Sequence, residues 1–114
     1  MPESDFISYV HEPDVHDGVI LKVRDSGDLV RVLVKAYDGR LYALEFHGVR
    51  SLRSHQPEGM MLYALIEMAA APPSRWFVFA EWEDGGGRYL EVMAEGMKSN
   101  EVTGDGDLWP GGAV

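Results

Sequence analysis

Between Val19 and Val92 the chain repeatedly alternates apolar and polar residues at every second position, in short stretches set apart by turn-forming residues. That period belongs to half-buried β-strands, because successive strand side chains point to opposite faces of a sheet. The separators are Asp25-Ser-Gly-Asp28, Asp38-Gly39, Gln56-Pro-Glu-Gly59, Pro72-Pro73 and Asp84-Gly-Gly-Gly87. Their Gly, Pro, Asp and Ser residues supply the left-handed or fixed backbone angles that chain reversals need. Short strands at this spacing predict an all-β domain, an antiparallel sandwich or flattened barrel of about seven or eight strands.

The registers test one another. In the second strand Val19, Leu21 and Val23 alternate with Lys22 and Arg24, which assigns the three apolar residues to the core. In the third, Val30, Val32, Val34 and Ala36 alternate with Arg31 and Lys35; in the fourth, Tyr42, Leu44 and Phe46 alternate with Ala43, Glu45 and His47. A two-residue Asp38-Gly39 loop would set Val32 opposite Glu45 and place a carboxylate on the apolar face. A three-residue loop, Tyr37-Asp38-Gly39 with Gly39 left-handed, pairs Val34 with Tyr42, Val32 with Leu44 and Val30 with Phe46. One residue of slip exchanges the faces, so the pattern selects the longer loop. In the last hairpin a turn at Asp84-Gly85 pairs Phe79 with Leu90 and Phe77 with Val92. It also sets Glu81 opposite Arg88 and Trp82 opposite Gly87.

Met60 to Met68 reads two ways. Its Met, Leu, Ala and Glu content suits a helix, which leaves room for one short helix near 60–70. Yet Met60, Leu62, Ala64, Ile66 and Met68 share one face at period two, and Gly59 and Pro72 bound the run. Strand is the preferred reading. The segment Ser51-Leu52-Arg53-Ser54-His55 reads as a connection. Residues 1–103 form one domain, and the Gly- and Asp-rich tail 104–114 reads as loose, with Leu108 and Trp109 as candidates to dock.

Composition narrows the class. The 114 residues include no cysteine, so disulfides and thiolate chemistry are excluded together. The acidic start Met1-Pro-Glu-Ser-Asp5 is followed by no apolar h-region, and the run Gly59–Ala71 is too short to span a bilayer and carries Glu67. A cytoplasmic protein without membrane contact is expected. The formal charge of −9 is uneven: five acids and no Lys or Arg in residues 1–17, eight bases against six acids in 18–80, and eight acids against Arg88 and Lys98 in 81–107. Such ends repel phosphate backbones, which argues against nucleic acid, and they attract a basic protein. They also serve solubility alone.

Three features together, His16-Asp17 opening an alternating strand, Tyr42-Ala-Leu-Glu-Phe-His-Gly-Val49, and Gly59-Met-Met-Leu-Tyr63 leading to the late hairpin, carry a resemblance. Over roughly Phe6 to Val102 the chain resembles small β-rich bacterial proteins of unknown function that include some immunity proteins of toxin systems. The resemblance implies an all-β fold and, for the immunity members, toxin binding without catalysis. It assigns no role to any single residue.

The densest polar cluster is His11-Glu12-Pro13-Asp14-Val15-His16-Asp17. Imidazoles and carboxylates are ligands for zinc and similar metals, so His11, Asp14, His16 and Asp17 are candidate ligands, with His47 or His55 added in space. Against this, His11 and His16 match neither the helical nor the strand spacing of a ligand pair. The plainer reading is a solvated loop in which Asp14 or Asp17 makes turn bonds. Ser51 and Ser54 lack the Gly-x-Ser-x-Gly context of a nucleophile. Gly85-Gly86-Gly87 lacks the helix and lysine of a phosphate loop, and Asp105-Gly106-Asp107 is too short for a calcium loop. No cofactor and no catalytic residue are assigned.

The aromatic residues carry more. If Phe77, Phe79, Leu90 and Val92 face the core, Trp76, Trp82, Tyr89 and Met93 share the opposite face, where large apolar groups call for a cover. The tail, a second copy of the chain or a foreign partner would each provide one. The leading expectation is a non-catalytic binding module, in its sharpest version immunity-like, that holds a basic protein through Trp76, Trp82, Tyr89 and Met93 beside an acidic surface. The alternatives are a metal-binding protein or metal-dependent enzyme built on the His11–Asp17 cluster, and a structural homo-oligomer such as a homodimer.

Overall fold

The computed structural model describes residues 6–10, 15–81 and 87–102, and within them the alternation becomes nine strands and no helix. They are β1 (Phe6–Tyr9), β2 (Val19–Asp25), β3 (Leu29–Lys35), β4 (Leu41–His47), β5 (Ser51–His55), β6 (Leu62–Met68), β7 (Arg75–Glu81), β8 (Tyr89–Ala94) and β9 (Gly96–Val102). One sheet has the order β1-β6-β7-β8-β5 and the other β2-β3-β4-β9, with every pairing antiparallel. The result is an open sandwich rather than a barrel, with one or two strands more than the turn signals suggest. The surplus includes β5: Ser51–His55 is a strand, not a connection, and pairs with β8 along its whole length. No described helix is long and apolar enough to cross a membrane.

The inner faces of the two sheets meet in one cluster that includes Ile20, Val30, Val32, Val34, Leu44, Phe46, Met60, Leu62, Leu65, Phe77, Phe79, Leu90 and Val92. Phe46 of β4 joins the sheets. Its ring lies 5.1 Å from that of Phe77 and 5.9 Å from that of Phe79, both tilted rather than face to face. Such pairs add about 0.5–1.5 kcal/mol to the burial of the rings themselves. A smaller cluster, Leu33 and Ala43 with Val102, sits on the outward side of the four-stranded sheet.

The β3–β4 hairpin has the register that excluded Glu45 from the core: Val34 faces Tyr42, Val32 faces Leu44 and Val30 faces Phe46. Its loop is Tyr37-Asp38-Gly39, closed by Ala36 N–H to Arg40 O at 2.8 Å and Gly39 N–H to Ala36 O at 2.9 Å. Gly39 has φ of 89°, which L side chains rarely adopt. The exiled Glu45 lies opposite Arg31 on the outer face and accepts its Nε–H at 3.1 Å. The late hairpin also keeps its register, with Phe79 opposite Leu90 and Phe77 opposite Val92. That ladder ends there. Glu81 pairs with Leu62 of β6 and makes no ion pair with Arg88, and its Oε1 is buried without a hydrogen-bond partner. The Trp82–Gly87 pairing and the tail 104–114 lie outside the described residues.

Two bulges break the strict alternation. Along β2 the register jumps between Ile20, opposite Val34, and Lys22, opposite Leu33. The extra residue, Leu21, is therefore 39% exposed, while Ile20 takes the core position and Val23 regains the inner face opposite Val32. Neither Val19, half-buried opposite Lys35, nor Leu21 is the core residue that plain alternation assigns. In β6 the jump falls between Leu62 and Ala64. Met60 and Leu62 are inside as the period requires, but beyond Tyr63 the phase reverses. Leu65 enters the core opposite Phe79, and Ala64, Ile66 and Met68 take the other side of the sheet opposite Ala80, Val78 and Trp76, where Ala64 and Met68 are nonetheless buried.

Candidate partner-binding face

The register of the five-stranded sheet builds its outer surface. With Phe77, Phe79, Leu90 and Val92 turned inward, Trp76 and Val78 of β7 and Tyr89, Glu91 and Met93 of β8 must turn outward. The β6 bulge adds Ile66 to the same surface, and Met68, on the same side of the sheet, is buried. β1 adds Tyr9, which lies opposite Ile66. Cross-strand pairing therefore forms two continuous rows. One runs Tyr9, Ile66, Val78, Glu91, Arg53, and the other Met68, Trp76, Met93, Ser51. Ile66, Trp76, Val78 and Met93 are half-buried, and Tyr9 and Tyr89 are exposed. Of the residues the sequence put on this face, Trp76, Tyr89 and Met93 are brought together, and Trp82 lies outside the described residues. Ile66 and Tyr9 were missed. The first is hidden by the Tyr63 bulge, and the second lies in a four-residue strand with too few residues to show a period.

A shallow pocket of about 120 Å³ opens in this face between Ser51, Arg53, Trp76, Glu91 and Met93. Trp76 Nε1–H donates to Glu91 Oε1 at 3.2 Å, which fixes the indole over the strand pair. Arg53 lies directly opposite Glu91 yet makes no ion pair with it. At one rim His55 stacks on Tyr89, with ring centres 6.2 Å apart. At the other, the rings of Tyr9 and Tyr63 meet edge to face at 6.3 Å, and His16 lies 5.6 Å from Tyr63. The hydrogen bond that the Tyr9 phenol shares with Tyr63 favours its protonated form and holds it above its usual pKa. The arrangement suits contact, with an apolar floor and a few polar groups that set orientation.

Charge is distributed differently from the aromatic groups. The described residues hold all ten basic side chains and eleven acidic ones. The other eight acids are Glu3, Asp5, Glu12, Asp14, Glu83, Asp84, Asp105 and Asp107, in four segments that carry no base. Two of those segments flank β1 and a third joins β7 to β8, the strands that carry Tyr9, Trp76, Tyr89 and Met93.

The described histidines, His16, His47 and His55, do not converge. His16 and Asp17 occupy the middle of a tight turn closed by Gly18 N–H to Val15 O at 2.9 Å, with Asp17 at φ 61° and His16 Nε2 3.6 Å from Asp17 Oδ2. The described part of the segment is thus a turn closed backbone to backbone; His11 and Asp14 lie outside the described residues. His47 rests against Gly96 in the four-stranded sheet, and His55 is on β5 at the far edge of the other. Among the described residues no group of three or more His, Asp or Glu side chains is placed to hold a metal ion. No family model, no curated protein and no solved structure matches this chain.

Proposed function

We propose that the chain is a non-catalytic binding module whose contact surface is the outer face of the five-stranded sheet and whose partner is a basic protein. The observation that carries this reading is the convergence of Trp76, Val78, Ile66, Met93, Tyr89 and Tyr9 on one outward surface. Trp and Tyr anchors of this kind dominate the energetics of protein contacts. Acidic segments attached to the strands of that face supply the steering charge. In its sharpest form the module is immunity-like and neutralises a basic toxin domain by covering it.

The test is a binding comparison with the full chain immobilised. A basic partner retained at low ionic strength, released as salt rises and lost on Trp76→Ala supports the reading. Retention that ignores both salt and Trp76→Ala overturns it. Light scattering on the same variants covers the homo-oligomer alternative, which predicts a dimer mass that Trp76→Ala converts to a monomer.

A further inference from the structure

β2 and β5, each the last strand of its sheet, line opposite sides of one cleft. The cleft, of about 390 Å³, is lined mainly by Val23 and Asp25 of β2, Leu52 and Ser54 of β5, and Pro57 and Glu58 of the loop before β6. Val23 and Leu52 pack against the main core, so the floor of the cleft is apolar. Its polar side chains include two carboxylates, and no basic residue lines it.

The first half of the β2 edge already carries a strand partner from within the chain. Ile20 N–H donates to Met60 O at 3.0 Å, Gly59 N–H to Ile20 O at 2.7 Å and Leu62 N–H to Gly18 O at 2.8 Å, with Val19 paired to Met61. The pairing stops at Gly59, where the backbone takes φ of 89° and the chain turns away. Beyond that point Val23 N–H points off the sheet, and its acceptor is not a backbone carbonyl but Glu58 Oε2 at 3.0 Å. Alternation along an antiparallel strand aims the backbone of Asp25 the same way. The second half of the edge is thus a strand template held shut by one exposed carboxylate, and exposed strand edges are the sites at which extended peptides add.

We infer that this cleft takes a short extended segment of a partner protein bearing lysine or arginine, added antiparallel or parallel along Val23–Asp25. An incoming carbonyl replaces Glu58 as acceptor for Val23 N–H. The released Glu58 carboxylate and Asp25 then face the incoming cation, so one displacement supplies both the backbone bond and the charge partner. Apolar side chains of the segment meet Val23, Leu52 and Pro57. The site is independent of the outer aromatic face and uses none of its residues.

The probe is an end-blocked hexapeptide of alternating lysine and valine, titrated into the ¹⁵N-labelled full chain, with the glutamate–valine counterpart as control. The basic peptide should shift the amides of Val23–Asp25 and Leu52–Ser54 saturably, with Val23 moving most, and the acidic peptide should leave them in place. Glu58→Gln combined with Asp25→Asn keeps acceptors at both positions and should weaken the basic peptide roughly two- to thirtyfold, the range expected for two solvent-exposed charge contacts. Equal shifts from both peptides, shifts confined to other surfaces, or no response of the Val23 amide to the basic peptide would each overturn the inference. Loss of salt-sensitive partner binding on Trp76→Ala with these shifts intact would separate the two sites.

Discussion

Trp76 and Glu91, diagonal neighbours on adjacent strands, are joined by an indole-to-carboxylate hydrogen bond of 3.2 Å on the outer face of the five-stranded sheet. A tryptophan on such a face has two side-chain torsions to lose when a partner docks, and a fixed indole has lost part of that freedom beforehand. The bond uses one oxygen of the carboxylate that lies opposite Arg53, and Arg53 makes no ion pair with the other. Glu91→Ala should release the indole and lower stability by about 1 kcal/mol, the usual net worth of one hydrogen bond to a charged or polar partner. Glu91→Gln, which keeps an acceptor, should retain most of it. The Trp76 indole N–H resonance, followed through urea unfolding of both variants, measures the difference.

Phe46 is the ring on which the two sheets converge, buried and in contact with both Phe77 and Phe79. Phe46→Ala removes those contacts from the centre of the core and should cost about 3–5 kcal/mol, with the larger part of the range if the surrounding strands cannot close on the space. Phe46→Leu should fall well below that. Denaturant midpoints at unchanged slope give both values.

Glu67 and Arg75 face each other across β6 and β7 through two hydrogen bonds of 2.9 Å, and the guanidinium carbon lies 4.9 Å from the Phe77 ring centre. The Arg75 bonds hold the Glu67 carboxyl below its ordinary pKa against an opposing effect of burial. A carboxyl depressed in the folded state binds its proton more readily when unfolded. Its contribution is complete above the ordinary value and fades as pH falls through the folded one. Because nearly half of the Arg75 side chain stays in contact with water, the effect should stay within about 0.2–1 kcal/mol. Unfolding curves of wild type and Arg75→Gln should differ at neutral pH and converge in the acid range.

Gly39 isolates the backbone cost of the β3–β4 loop. A Cβ added there meets no atom within 4 Å, yet φ is 89°. Gly39→Ala should therefore destabilise by about 1 kcal/mol through conformation alone. The β3–β4 register should survive, because the burial of Val30, Val32 and Val34 against Phe46, Leu44 and Tyr42 specifies it independently. Cross-strand nuclear Overhauser contacts in the variant report the register directly.

The same hairpin shows why parts of the fold were legible. Placing Glu45 on the apolar face would be costly, so one register survived, and it fixed every side chain on both strands. The β7–β8 pairing was legible for the same reason, and with it the outward placement of Trp76, Tyr89 and Met93. β5 was not: Ser51-Leu52-Arg53-Ser54-His55 has one apolar residue, because a polar outer face and a short edge leave little to bury. Bulges were equally hidden. They add a residue without changing composition, so Ala64, Ile66 and Met68 looked inward on a period that Tyr63 interrupts. Glu58 could not be read as an edge cap either, since its bond to Val23 N–H spans 35 positions of sequence.

The β2 bulge makes a sharp energetic distinction between adjacent residues. Uninterrupted alternation puts Leu21 in the core and Ile20 outside, whereas the bulged register reverses them, with Ile20 at 0% exposure and Leu21 at 39%. Ile20→Ala should therefore cost about 2–5 kcal/mol, by lost transfer energy and an unfilled space beside Val34 and Met60. Leu21→Ser should change stability by no more than about 0.5 kcal/mol, as at ordinary surface positions. The two substitutions act on neighbouring residues of one strand, so general effects on strand formation are shared, and the difference isolates which side chain enters the core. Urea midpoints in which Leu21→Ser is the more damaging would show that β2 runs without its bulge and would return Leu21 to the interior.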